Sequence, residues 1–202
     1  MQWTEVTQLL PDDPNSMNTT SAASAELHSP EKSEDLAALF FNLSPIHRKT
    51  VKQYPHIIRT VRALMRLAKR FDTPQYSDVI THLELLNEPL YNIDLAIIKS
   101  FYLTAIEAIR KLNPQSQMTI VMHDSFRLGA WGGFAAEHQM SNIMFDTHHY
   151  QVFMVDQLKW SREQHIENIC QATARVLRDA RQNSGPLIVG EWCGATTDCA
   201  LW

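Results

Sequence analysis

Two glutamates carry the clearest chemical signal in this chain. Glu88 ends the run Leu83-Glu84-Leu85-Leu86-Asn87-Glu88-Pro89, and Glu191 ends Leu187-Ile188-Val189-Gly190-Glu191. Both runs are short and apolar, as buried strands are, so each carboxylate is expected at a strand's end. Two carboxylates brought together from parallel strands can open a glycosidic bond with retention. One protonates the leaving oxygen while the other attacks the anomeric carbon. Two further polar clusters, His123-Asp124-Ser125-Phe126 and Asp146-Thr147-His148-His149-Tyr150, also follow apolar runs.

The elements that must position these groups alternate between helix and strand. Ile57, Ile58, Val61, Leu64, Leu67, Ala68 and Phe71 recur at helical spacing, with Arg59, Arg62, Arg66 and Lys69 mostly opposite. A second helix is expected from Asp94, as N-cap, to Leu112, with Asn113-Pro114 as its stop. Strand-like runs cover 118–122 and 142–146, and a long helical pattern runs from about Ser161 to Gln182 before Gly185-Pro186 breaks it. Buried strands alternating with amphipathic helices predict an α/β fold with a parallel sheet. Every reactive cluster follows a strand's C-terminal end, which points to a (β/α)8 TIM barrel. An open doubly wound sheet is the alternative, but no Gly-rich phosphate loop follows any strand. Four strands cannot close a ring of eight, so an incomplete barrel, about half of one, is expected.

Composition narrows the function classes. The chain has 202 residues, 45% of them hydrophobic, with 18 Lys and Arg against 22 Asp and Glu. No basic stripe for nucleic acid is present, and no apolar run reaches the 18 or more residues of a membrane helix. The first residues lack the basic start and apolar stretch of a secretory leader. Residues 1–45 are small, polar and Pro-bearing at many positions and read as a disordered or unassignable segment, leaving 46–202 as a partial catalytic domain. Cys170, Cys193 and Cys199 have no C-x-x-C spacing, and their odd number suggests a thiol whose disulfide partner lies elsewhere.

Four motifs occur together: Leu83 to Pro89, His123 to Phe126, Asp146-Thr147-His148-His149-Tyr150-Gln151-Val152-Phe153, and Gly190-Glu191-Trp192 continuing to Thr197-Asp198-Cys199-Ala200. In this order and spacing the chain resembles the fungal exo-β-1,3-glucanases of glycoside hydrolase family 5 over roughly residues 50–202. The resemblance implies strands four to seven of the barrel. It also implies a secretory leader and three strands upstream, and an eighth strand with a sugar-stacking Trp downstream, none of which is found in this sequence. Its implied partner is a β-glucan polysaccharide or oligosaccharide, at the cell wall or outside the cell. No specific protein partner, nucleic acid or membrane is expected.

Residue roles follow from this likeness and from the chemistry. Glu88 is the expected acid/base and must hold a proton near neutral pH; Glu191 is the expected nucleophile and must stay ionised. The resemblance has Tyr150 hydrogen-bonding Glu191. Asn87 offers an amide to the sugar 2-hydroxyl, and His148 is expected beside the reacting sugar. Adjacent strand residues point oppositely, so His149 is expected to face away. Phe153, Trp131 and Trp192 are candidate stacking surfaces, and Asp124 a candidate substrate contact with a rim-bonding role as the alternative. Asp124, His123, Asp146, His148 and His149 could also be read as a metal cluster. That reading leaves both glutamates without a task, so no metal or cofactor is expected. The alternative to an active hydrolase is a truncated, inactive remnant with weak glucan binding.

Overall fold

The computed structural model describes residues 55–196. The 1–45 segment and Cys199 lie outside the described residues. Helix α1 (Pro55–Phe71) buries Val61, Leu64, Met65 and Ala68. Leu67, expected on that stripe, is 42% exposed. At 3.6 residues per turn it lies about 120° round from Val61, whereas Met65 continues the buried line. Helix α2 (Leu95–Leu112) starts where Asp94 Oδ1 accepts the Ala96 amide at 2.9 Å. Such a cap satisfies a donor the helix itself leaves orphaned. Its buried line runs through Ile98, Phe101, Tyr102, Ala105 and Ile109, and α1 packs against α2.

Four strands, β1 (His82–Glu84), β2 (Thr119–His123), β3 (Ile143–His149) and β4 (Leu187–Trp192), form one sheet in the order β1-β2-β3-β4. All neighbours are parallel. Sequential parallel strands joined through helices are the arrangement of one half of a (β/α)8 barrel. A 3-10 turn (Leu128–Trp131) and α3 (Phe134–Glu137) link β2 to β3. The helix expected over 161–182 is continuous but not uniform. It comprises α4 (Arg162–Glu167), a π-helical stretch (Asn168–Thr173) and α5 (Ala174–Ser184). Ser161 and Gln164 form a capping box at its start, and Gly185, at φ 104°, ends it.

The sheet has two chemically distinct faces. Leu85, Ile120, Met122, Ile143 and Phe145 are buried on one. The register sets His123 beside Asp146, placing Glu84, His123, Asp146 and His148 on the other by simple alternation. Beta4 departs from alternation. Thr147 pairs with Val189 but His148 pairs with Glu191, so Gly190 is an extra residue, a bulge. Without it, Glu191 would share the face of Leu187 and Val189; with it, Glu191 comes level with His148.

Two candidate ligand contacts belong instead to the core. Trp131 is 0% exposed, and its indole N–H donates to the Asp124 carbonyl at 2.8 Å while its ring packs beside Tyr102, Phe134 and Phe145. It cannot stack on a sugar. Asp124 is buried too: its two carboxylate oxygens accept from the Phe126 amide at 2.8 Å and the Thr147 hydroxyl at 2.9 Å. It ties the β2 loop to β3, the rim-bonding alternative.

Candidate active site

Glu88 stands beyond β1 rather than at its end. The ladder reaches Leu85, whose amide donates to the Val121 carbonyl at 3.0 Å. The chain then leaves the sheet, and Glu88 adopts the left-handed conformation, φ 44°. Few residues other than glycine do so, and the cost is tolerated where surrounding bonds impose it. Asn87, one residue earlier, is exposed. Glu191, by contrast, lies within β4, carried to the reactive face by the Gly190 bulge.

The two carboxylates meet at His148. Its Nδ1 is 2.8 Å from Glu88 Oε1 and 3.6 Å from Glu191 Oε2. Together these distances cap the gap between the two oxygens at about 6.4 Å. The glutamate side chains are 39% and 31% exposed, while the His148 side chain beneath them is 1% exposed. The Tyr150 hydroxyl donates to Glu191 Oε2 at 2.5 Å. That bond, with burial and the nearby carboxylates, pushes the Tyr150 phenol up to about 12. Phe153 is 75% exposed, with its ring edge-on to Tyr150 at 5.4 Å. Trp192 is 74% exposed.

Asp146 organises the group from below. Its Oδ2 is 3.2 Å from His148 Nε2, and its Oδ1 accepts the Gly190 amide at 2.7 Å. A carboxylate at Nε2 keeps a proton on that nitrogen. The 2.8 Å contact between His148 Nδ1 and Glu88 Oε1 needs one proton between its two atoms. Burial alone would lower the His148 imidazole, but the Glu88 bond and the Asp146 and Glu191 charges outweigh it and hold it above its ordinary value. His149 is turned the other way, its Nε2 3.4 Å from the Thr147 hydroxyl, and burial lowers it. Glu84, also on the reactive face, is pushed up to about 7 by burial and by Asp146 and Glu191.

Glu88, His123 and His148 each bring one potential ligand atom within 4.8 Å of the others. The donor set does not suit a metal. His123 Nδ1 accepts the Ser125 amide at 2.9 Å, so the proton of the neutral ring sits on Nε2 and leaves no free lone pair. Burial and the neighbouring His148 lower His123 to about 4, so neutral is its state near pH 7.

The structure thus gathers Glu88, Glu191, His148 and Tyr150, with Phe153 at the edge, and removes Trp131 and Asp124. Gly190, Ser125 and Asp146 stand within the sequence motifs without a role of their own there, Asp146 also as a member of the metal-cluster reading. The signal for Asp146 was its place two residues before His148, on the same strand face.

The model of the cellulase family (glycosyl hydrolase family 5) matches residues 32–200. The chain is 38% identical over 147 residues to a probable glucan 1,3-beta-glucosidase A of Emericella nidulans, covering 71% of this chain and 34% of that protein. It is 37% identical over 150 residues to a glucan 1,3-beta-glucosidase of Blumeria graminis, covering 73% and 33%. For the Schwanniomyces occidentalis glucan 1,3-beta-glucosidase the figures are 34% over 145 residues, 71% and 33%. The chain therefore spans about a third of the length of the curated relatives it matches. A parallel half-barrel with paired glutamates on its C-terminal rim, joined to a family match over most of the sequence, makes this chain a member of glycosyl hydrolase family 5.

Proposed function

We propose that this chain carries the catalytic carboxylates of a retaining glycoside hydrolase that removes glucose from β-1,3-glucan, acting at the cell wall or outside the cell. The observation that supports it best is the single imidazole nitrogen touching both glutamates. His148 Nδ1 lies 2.8 Å from Glu88 Oε1 and 3.6 Å from Glu191 Oε2, so the two carboxylates face one gap, as double displacement requires.

In the first step Glu191 Oε1 or Oε2 bonds to the anomeric carbon as the glycosidic C–O bond breaks. Glu88 gives its proton to the departing oxygen. In the second step Glu88, now a carboxylate, takes a proton from water, whose oxygen displaces Glu191. Tyr150 steadies the negative charge on Glu191 through its hydroxyl, and the Asp146–His148 pair sets where the acid's proton lies. Asn87 beside Glu88 is suited to the sugar 2-hydroxyl, and exposed Phe153 to a ring face.

A second reading, glucan binding without cleavage, draws on the reactive face itself, where Ile188 is 47% exposed beside the polar cluster. The anomer released first from laminarin, followed by proton NMR, separates the readings. Initial β-glucose supports double displacement, initial α-glucose overturns it, and binding with no release favours the second reading.

A further inference from the structure

The reading of Glu88 as acid/base raises the question of what holds its left-handed loop. The loop after β2 contains two more left-handed residues in succession, Ser125 (φ 55°) and Phe126 (φ 57°). Three such residues within one site are costly, and the bonds around them explain how the cost is met. The Ser125 amide donates to His123 Nδ1 at 2.9 Å, and the Phe126 amide to Asp124 Oδ1 at 2.8 Å. Tyr102 donates its hydroxyl to the His123 carbonyl at 2.9 Å. Ser125 itself is 0% exposed. Its hydroxyl donates to the carbonyl of Pro89, the residue after Glu88, at 2.8 Å, and accepts from Arg127 Nη2 at 3.0 Å. The Leu90 carbonyl is 3.3 Å from the same oxygen.

We infer that Ser125 is a positioning residue for Glu88: its hydroxyl latches the Pro89 carbonyl, and with it the acid/base loop, onto the rigid end of β2. The latch works through backbone, so it sets where Glu88 sits without touching substrate. Releasing it lets the loop relax away from His148, lengthening the 2.8 Å contact on which proton placement depends.

Two substitutions in the full chain test this. Ser125→Ala removes the hydroxyl and keeps the left-handed strain; Ser125→Gly removes the hydroxyl and relieves it. A merely structural role for this residue predicts that Gly is tolerated better than Ala in every measurement. The latch predicts that both lose the same function. For laminarin, kcat/KM should fall about 100-fold in each, the scale of a ~1 Å misplacement. For dinitrophenyl β-glucoside, whose leaving group needs no proton, it should change less than about threefold. Independently of turnover, the His148 imidazole should titrate closer to an ordinary histidine in both variants by NMR, because the Glu88 contact raises it. An unmoved His148 midpoint in Ser125→Gly overturns the latch. So does an equal loss on both substrates. Where the unsubstituted chain hydrolyses neither substrate, the hydrolase reading fails and the His148 midpoint alone decides the latch.

Discussion

Asp146 accepts the Gly190 amide at 2.7 Å, and its carboxylate occupies the space in which a side chain at Gly190 would begin. A Cβ there would lie 2.5 Å from Asp146 Oδ1. The glycine before Glu191 is thus a condition of the bulge that turns that carboxylate toward His148. Gly190→Ala should force β3 and β4 apart locally, at about 1–3 kcal/mol for overpacking. Urea denaturation should show a lower midpoint with an unchanged slope, and laminarin turnover should fall with it. An unaltered midpoint would mean that Asp146 can move aside.

The Tyr150 hydroxyl donates to Glu191 Oε2 at 2.5 Å. Tyr150→Phe keeps the ring and removes that donor. A hydrogen bond to a charged group is worth about 1.5–3 kcal/mol, so kcat on laminarin should drop by roughly 10- to 100-fold. The residue is only partly buried, so the melting temperature should barely move. A large loss of stability with full turnover would reverse this assignment.

Glu84 gives the site a pH-dependent strain. Burial, Asp146 and Glu191 raise it to about 7, and its Oε1 is buried without a hydrogen-bond partner among the described residues. Because the folded value lies above the unfolded one, the folded state holds the extra proton between about pH 4.5 and 7. Stability from this group is present at the acid end of that window and lost as pH rises through it. Glu84→Gln should therefore melt higher than the parent above pH 7 and converge with it near pH 4.5. Parallel melting curves across the range would refute the shift.

Two aromatics separate core from ligand surface. Trp131→Ala should cost about 3–5 kcal/mol, because the indole is fully enclosed and its N–H is satisfied. Phe153→Ala should leave the melting temperature within a degree or so while raising KM for laminarin, since the ring is largely solvent-facing. A KM change in a still-folded Trp131→Phe with none in Phe153→Ala would invert these roles.

Residue type and chain order already determined much of this protein. The apolar runs before Glu88 and Glu191 marked β1 and β4, Asp94 and Asn113-Pro114 bounded α2, and the Asp146-to-Phe153 string held His148 and Tyr150 together. These features are local, set by side-chain spacing and backbone preference, and so can be read along the chain. Other features arise only when distant segments meet. Strict alternation in β4 would put Glu191 with Val189, and the bulge against Asp146 overrides it. Trp131 is polar-tipped and stands in a reactive neighbourhood, yet the Asp124 carbonyl and three surrounding rings draw it into the core. Ser125 stands inside the His123-to-Phe126 motif, but its role rests on the Pro89 carbonyl 36 residues away. Spacing can nominate the groups that react, but their distances and protons depend on contacts between strands, which no single segment encodes.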